Sequence, residues 1–392
     1  MSWPMVKLGE IFTISRGGSP RPIQDYITDS CHGVNWIMIG DTEPNSKYIR
    51  HTAKKIKFEG VKKSRKVYPG DLLLTNSMSF GRPYILDVEG CIHDGWLVLS
   101  PKNNQIHIDY FYHYLNSPAA KIIISNKAAG AVVKNLNSDI VRNLEIPFPP
   151  FAEQVRIAST LDKVDGIRQK RDQAIKLADD FLRATFLAMF GDPVENPKRW
   201  DVASLLEYGS FKNGMNFTKG ESGSVLKCLG VGNFKSLATI TCMDNIGEIE
   251  LNTLPSDDYL LKDGDIVFVR SNGNKALVGR CLTIYPSKEK VTFSGFCIRY
   301  RIENTAITPE YLNFLFRTPS MKQQMLSGGQ GANIQNISQG TLSALRIPVP
   351  PLEKQQAFSK VVSFHSALME KLDINTVEIE DMFDSISQQY FN

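Results

Sequence analysis

The chain has 392 residues, enough for two or more domains. Its 42% hydrophobic content argues against disorder, and 45 basic residues against 41 acidic leave a net charge of only +4. That balance excludes a wholesale polycation, so any nucleic-acid contact has to come from local clusters. Six cysteines, at 31, 91, 228, 242, 281 and 297, form no C-x-x-C pair. Neither a zinc knuckle nor a redox motif is visible, and reduced thiols are expected. The opening MSWPMVKLGE lacks the basic-then-apolar pattern of a signal peptide, and no apolar run is long enough for a membrane span. A cytoplasmic protein with no membrane partner is the expectation.

In chain order, the first 100 or so residues hold short β-like runs such as VNWIMIG (34–40), KVYPGDLLLTN (66–76) and GWLVLSP (95–101), broken by Gly, Pro, Asn and Asp. Residues 108–126 read as helix. A glycine-rich turn, a short strand ending in Ile-Pro and a Pro-Pro stop follow. From 151 to 192 a long helix is expected, with Ile157, Leu161, Val164, Arg168, Arg171, Ile175, Ala178, Leu182, Thr185 and Met189 spaced alternately by four and three. FGDPVENPKRW (190–200) ends it.

The series then starts again. KCLGVGNF (227–234), GDIVFVRS (264–271) and FCIRYRI (296–302) read as strands, and 308–326 as helix. A second long helix, 352–392, carries Phe358, Val362, His365, Met369, Leu372, Thr376, Ile379, Phe383, Ile386 and Tyr390 on the same alternation. Here the seam is unbroken, whereas Arg168 and Arg171 interrupt the first.

The two series are one repeat. GAVVKNLNSDIVRNLEIPFPPFAEQ (130–154) faces GANIQNISQGTLSALRIPVPPLEKQ (331–355) at a constant offset of 201, so that Pro149 and Pro150 match Pro350 and Pro351, and Gln154 matches Gln355. Tyr110, Pro118 and Lys121 match Tyr311, Pro319 and Lys322 at the same offset. GDLLL (70–74) faces GDIVF (264–268) at an offset of 194, and the middle of each half shows almost no identity. A common framework therefore carries two diverged surfaces. The fold class expected is α+β: two pseudo-symmetric globules, 1–150 and 193–351, separated by two long antiparallel coiled-coil helices, 151–192 and 352–392. Each helix, at about 40 residues, would run about 60 Å, too long for one small globule. The helix seam is assigned to Leu161, Val164, Ile175 and Leu182 on the first helix. On the second it is assigned to Phe358, Val362, Met369, Leu372, Ile379 and Phe383.

Ile-Pro-x-Pro-Pro before each long helix, FGDPVENPKRW after the first, the opening VKLGEIFTISRGGSP (6–20), VNWIMIGD (34–41) and PGDLLL (69–74) together resemble the specificity subunit of type I restriction–modification enzymes. The resemblance spans the whole chain. It implies two target recognition domains that each read half of a split site on double-stranded DNA. It also implies paired helices that hold them apart and dock two methyltransferase subunits, with restriction subunits beyond. S-adenosylmethionine, ATP and Mg are then expected on those partners and not on this chain. The second helix stopping at Asn392 is a departure from the family pattern.

No catalytic, cofactor or metal site is expected. The Pro-Pro pairs follow Phe148 and Val349, so they lack the Asn or Asp that precedes such a pair in a base methyltransferase. GVGNFKS (230–236) lacks the spacing of a phosphate loop and reads as a turn, as does SGGQGAN (327–333). His93-Asp94 reads as a hydrogen-bonding pair, and His365 as an interface histidine.

DNA contact is expected first from HTAKKIKFEGVKKSRKV (51–67), with Lys54, Lys55, Lys62, Lys63, Arg65 and Lys66 as phosphate contacts. TNSMSFGRP (75–83) and VRSNGNKALVGR (269–280) follow equivalent Gly-Asp strands. Asn amides and Arg forks can pair with base edges, so Asn76, Arg82, Arg270, Asn272, Asn274 and Lys275 are the candidates there. A stand-alone nuclease or methyltransferase with an unfamiliar site is the alternative, and a coiled-coil protein with no DNA role is a third.

Overall fold

A computed structural model describes residues 3–43, 46–76, 81–129, 136–218, 220–234, 238–327 and 336–391. The glycine-rich segments 130–135 and 328–335, residues 77–80 of TNSMSFGRP and the end of GVGNFKS lie outside the described residues. The chain forms two compact units: Met1–Ala174 with Leu372–Asn392, and Ile175–Lys371. The division falls inside both long helices, Phe151–Phe190 and Leu352–Phe391, so each unit holds a globule and half of each helix.

Both globules are built on the same five-stranded sheet. In the first unit its order is Phe12–Arg16, Trp96–Pro101, Leu72–Thr75, Pro83–Leu86 and Tyr48–Ile49. In the second it is Gly209–Asn213, Cys297–Ile302, Asp265–Val269, Cys281–Ile284 and Thr239–Ile240. Three antiparallel pairings and a final parallel one recur in both. The LLL and IVF runs have no polar alternation because both sheet faces are covered. Leu72 and Leu74 face the helices while Leu73 enters a second core, and Ile266 and Phe268 divide from Val267 in the same way.

That second core lies under a smaller sheet. Lys54–Ile56, Val34–Ile37 and Gly90–Ile92 in the first unit pair as Glu248–Leu251, Ser224–Leu229 and Val291–Phe293 do in the second. The first unit adds two edge strands, Ile27–Thr28 and Arg65–Val67.

The segments 108–126 and 308–326 are each two helices, not one. Ile108–Asn116 breaks before Pro118–Ala129, and Pro309–Arg317 before Pro319–Ser327. Proline lacks the N–H needed to continue the ladder and pushes the preceding residue out of the helical region. Ser117 and Thr318 accordingly sit at ψ near 150°.

The junction of globule and long helix is the same in both units. Gln154, fully buried, donates from Nε2 to the carbonyls of Pro149 (2.9 Å) and Gln105 (3.1 Å), and its Oε1 accepts from the His107 N–H (2.9 Å). Gln355 repeats this with Pro350 (2.8 Å), Ala306 (3.1 Å) and the Thr308 N–H (2.9 Å). Tyr110 and Tyr311 donate their hydroxyls to the carbonyls of Pro147 and Pro348.

Within each unit the two helices run antiparallel. In the first, Arg156 donates to the Tyr390 hydroxyl, Arg168 lies over the Phe383 ring, and Phe391 packs on Tyr110 and Tyr114. In the second, His365 meets Asp179 at 3.0 Å, and Phe358 packs edge-on against Phe186 and Phe190. Leu161, Val164, Leu182, Phe358 and Val362 are buried, while Ile175, Met369, Leu372, Ile379 and Phe383 are half-buried. The interrupting arginines keep to the seam by pairing their heads, Arg168 with Asp165 at 3.0 Å and Arg171 with Asp172 at 2.8 Å, so that their stems can pack.

A charged network in the first unit also ties the first long helix to the globule. Lys47, 10% exposed, bridges Asp109 and Asp162, and buried His113 meets Asp162 at 2.7 Å. Burial alone would raise the Asp162 pKa, but hydrogen bonds from His113 and Lys47 outweigh it and hold the carboxyl at about 2. In the second unit the residue matching Asp109 is Glu310, which accepts from Tyr285 and Ser359 hydroxyls instead.

Two outcomes follow for stability. Gln154→Ala and Gln355→Ala should each strand buried backbone groups, at about 1–3 kcal/mol per group left unpaired, read as a lower urea midpoint. Asp162 is lowered below the ordinary 3.8, so its contribution is full above that value and lost as pH falls through about 2. Asp162→Asn should therefore destabilise at pH 7, and the difference from the parent should shrink steadily below pH 3.8.

Candidate nucleic-acid interface

The shared sheet brings four strand ends to one rim. In the second unit Asn213 ends one strand, Val269 ends another, and Cys281 and Cys297 begin two more, all at the same edge because neighbouring strands are antiparallel. The turns leaving that edge are 214–218, 270–280 and 294–296. In the first unit the matching turns are 17–22 and 93–95, and the strands Leu72–Thr75 and Pro83–Leu86 end and begin at the same edge, with Asn76 and Gly81 beside it.

Backbone hydrogen bonds show the match residue by residue. Asn76 donates to the Gly95 carbonyl and accepts from the Leu136 N–H; Arg270 donates to the Phe296 carbonyl and accepts from the Ile337 N–H. Each hairpin turn closes on a left-handed glycine, Gly81 (φ 67°) and Gly279 (φ 76°), against the helix behind it. Arg82 and Arg280 follow those glycines.

The candidates divide on this rim. Arg270, Asn274 and Lys275 are exposed and Asn272 is half-buried. Part of the Asn content is turn chemistry: Asn272 Oδ1 accepts from the Asn274 N–H (2.7 Å), and Asn274 Oδ1 from the Ala276 N–H (3.0 Å). The two amide nitrogens take no part in this pairing and keep their donors for another group. Asn76 is a correction. It is 5% exposed, and its amide donates to the Asp94 carbonyl at 2.7 Å, so it straps two turns together and does not project from the rim. Arg82 is half-buried with its guanidinium over the Tyr84 ring. Burial, then the nearby charges of Arg82 and Arg168, push the Lys121 pKa down; burial and Arg280 do the same to Lys322. This repeated Arg–Lys pairing was visible only in part, as the match of Lys121 with Lys322.

The first unit's rim is tied to an acid. Asp94 accepts from Ser19 (2.8 Å), which holds its carboxyl below the usual range, and lies 3.6 Å from Arg21; Arg16 donates to its carbonyl. His93 and Asp94 are 3.7 Å apart, an ion-pair distance longer than a hydrogen bond. His93 Nδ1 instead accepts from the Gly95 N–H, and burial lowers the ring's pKa.

The basic run lies beside this rim. Lys54 and Lys55 are on a strand of the smaller sheet, Lys62 and Lys63 follow the turn of helix Phe58–Val61, and Arg65 and Lys66 are on the added edge strand. The Lys63 backbone contacts Gly18, and Arg65 reaches the Arg16 carbonyl. Lys54, Lys62, Lys63, Arg65 and Lys66 are exposed; Lys55 is half-buried and donates to the Cys31 carbonyl. Lys66 pairs with Glu89 at 2.6 Å, which raises its pKa. Phe58, 75% exposed among these lysines, was missed from sequence. The matching strand of the second unit presents exposed Glu248 and Glu250, so the basic strand of the first unit has an acidic counterpart.

Among the described residues, no group of three or more His, Cys, Asp or Glu side chains is placed to hold a metal ion, and no helix is long and apolar enough to cross a membrane.

Known proteins decide what this duplicated framework is. The family model of the type I restriction modification DNA specificity domain matches residues 2–177 and again 217–384. The chain belongs to that family. It is 25% identical over 321 residues to the type I restriction enzyme StySPI specificity subunit of Salmonella potsdam, covering 75% of this chain and 67% of that one. The EcoKI specificity subunit of Escherichia coli is also 25% identical, with the same coverage, and the MjaVIII subunit of Methanocaldococcus jannaschii is 22% identical over 91% of this chain and 84% of its own. In fold the chain resembles the S subunit of a type I restriction-modification system from M. genitalium, at a TM-score of 0.56, 16% identity, and coverage of 100% of this chain and 96% of that one. A chain from a study of complex assembly and conformational transition in a type I R-M system gives a TM-score of 0.57 at 16% identity, covering 99% and 97%.

Replacing Lys62, Lys63 and Arg65 with Ala should weaken binding to all DNA sequences alike. The log–log salt slope should flatten by roughly 0.9 for each phosphate that is no longer neutralised. Lys66→Ala should change the slope little, because Glu89 already neutralises that charge. Titrating non-specific duplex over a salt series checks both.

Proposed function

We propose that this specificity-family chain is the DNA-reading subunit of a type I restriction–modification complex, and that it carries no chemistry of its own. Each unit reads one half of a split site on duplex DNA. Two methyltransferase subunits and the restriction subunits assemble on it. S-adenosylmethionine, ATP and Mg bind those partners. The observation that carries this reading is the double family match, one on each repeat, over a backbone that is shared and rim side chains that are not. A single-site reader would gain nothing from two frameworks with different outer surfaces.

Exchanging residues 193–351 for the matching segment of a relative tests it. The methylated sequence should change in one half only, read by mapping modified sites in cells that also carry the partner subunits. Changes in both halves, or in neither, would sink the reading.

The partners have a face to dock on. In the second unit Leu177 (60% exposed), Phe181 (66%), Phe364 (74%) and Leu368 (37%) flank the seam on the two helices. Heptad counting puts all four on the same side of an antiparallel pair. In the first unit Ile167 and Met382, also exposed, match Leu368 and Phe181 at the 201-residue offset, while Lys163 and Glu378 stand where Phe364 and Leu177 do. Two similar faces fit two copies of one partner. Phe181→Asp with Phe364→Asp should weaken the second unit's copy by about tenfold or more, leaving a complex with one methyltransferase subunit by native mass measurement.

A further inference from the structure

We propose that Phe296 makes an apolar base contact within the half-site read by the second unit; the inference rests on the DNA-reading function proposed above. Its turn is a structural twin of one in the first unit. Cys297 donates to the Ser294 carbonyl as Trp96 does to that of His93, and Gly214 and Gly17 donate to the Cys297 and Trp96 carbonyls. On that common backbone Phe296 stands where the first unit has Gly95.

In the first unit the His93 ring occupies the space of a side chain at this position. A Cβ on Gly95 would lie 2.2 Å from His93 Cε1, because the imidazole folds back to accept the Gly95 N–H. Ser294 in place of His93 leaves the second turn open, and the Phe296 ring is 60% exposed. Isolated exposed apolar residues are common, so exposure alone says little. The neighbours say more. The Phe296 carbonyl holds the Arg270 N–H, placing this residue beside the Arg270–Lys275 turn, and Met215 pairs with Ser294, bringing exposed Asn216 and Phe217 alongside.

The segments 209–218, 269–280 and 291–298 that form this rim contain no Asp or Glu. In the first unit the corresponding rim includes Asp94. A polyanion can approach the second rim without meeting a carboxylate on those turns. Arg270 and the asparagines can supply hydrogen bonds to base edges, and a phenyl ring between them supplies the apolar surface that a thymine methyl takes.

The test uses the chain assembled with its methyltransferase partners and a pool of randomised duplexes. Phe296→Ala should lose discrimination, by about 5- to 100-fold, at one or two base pairs of a single half-site, the half altered by exchanging residues 193–351. The other half, the thermal midpoint and the salt slope should be unchanged, since an apolar contact releases no counterions. Phe296→Leu should keep most of the discrimination. Unaltered preference at every position in Phe296→Ala would overturn the inference and leave the function standing. A uniform loss with a flatter slope would also overturn it. A parent complex with no sequence preference would refute the function itself, and the inference with it.

Discussion

The buried glutamine at the root of each long helix is the interaction on which the arrangement depends. The chain reaches the helix through Ile-Pro-x-Pro-Pro, whose prolines donate no backbone hydrogen bond and leave carbonyls facing the globule. Gln154 and Gln355 each satisfy two carbonyls and one N–H from inside the core, and Tyr110 and Tyr311 take a third carbonyl from the other side. Without them the segment would bury unpaired acceptors. With them, the direction in which the helix leaves the globule is set by side chains that recur at one offset.

From that fixed root the helix can serve two purposes. One stripe joins the core of its own globule, where Ile157 and Leu161 or Phe358 and Val362 are buried. Another meets the opposite helix. Phe186 and Phe190 lie outside the four-three alternation yet are among the most buried side chains, because the end of the first helix packs on Tyr311 and Phe314 as well as on Phe358. A heptad count finds one partner surface. It has no means of finding the second when that surface belongs to a helix 120 or more residues away.

The rim shows how a duplicated framework comes to recognise two different things. Backbone hydrogen bonds hold Asn76 and Arg270 in equivalent places, as they do Gly95 and Phe296. The side chains do opposite jobs: one turn is strapped inward by Asn76, His93 and Asp94, and the other carries Arg270 and Phe296 outward. The edge strand Arg65–Val67, added in the first unit, brings positive charge there, and the basic strand Lys54–Ile56 has the acidic Glu248–Leu251 as its counterpart in the second unit. Backbone order is thus kept while charge and shape diverge.

Period and repetition were legible in the sequence because they are properties of spacing. The doubly buried strands, the helix seam, the proline stops and the 201-residue offset all survive projection onto one dimension, and they were enough to indicate two globules, two antiparallel helices and a family of DNA-specificity subunits. The break at Pro118 and Pro319 was also legible in principle, from proline's missing donor, but the continuous apolar pattern masked it. What the linear order could not decide is which polar residues face outward. Asn76 and Arg270 occupy equivalent places after equivalent strands, yet Asn76 is turned inward to the carbonyl of Asp94, 18 residues downstream, and Arg270 is exposed. Phe296 stands among strand residues in the sequence and at the tip of a turn in the fold. Its exposure depends on a neighbouring serine where the other unit has a histidine, a contrast that only the matched backbones of the two turns bring out.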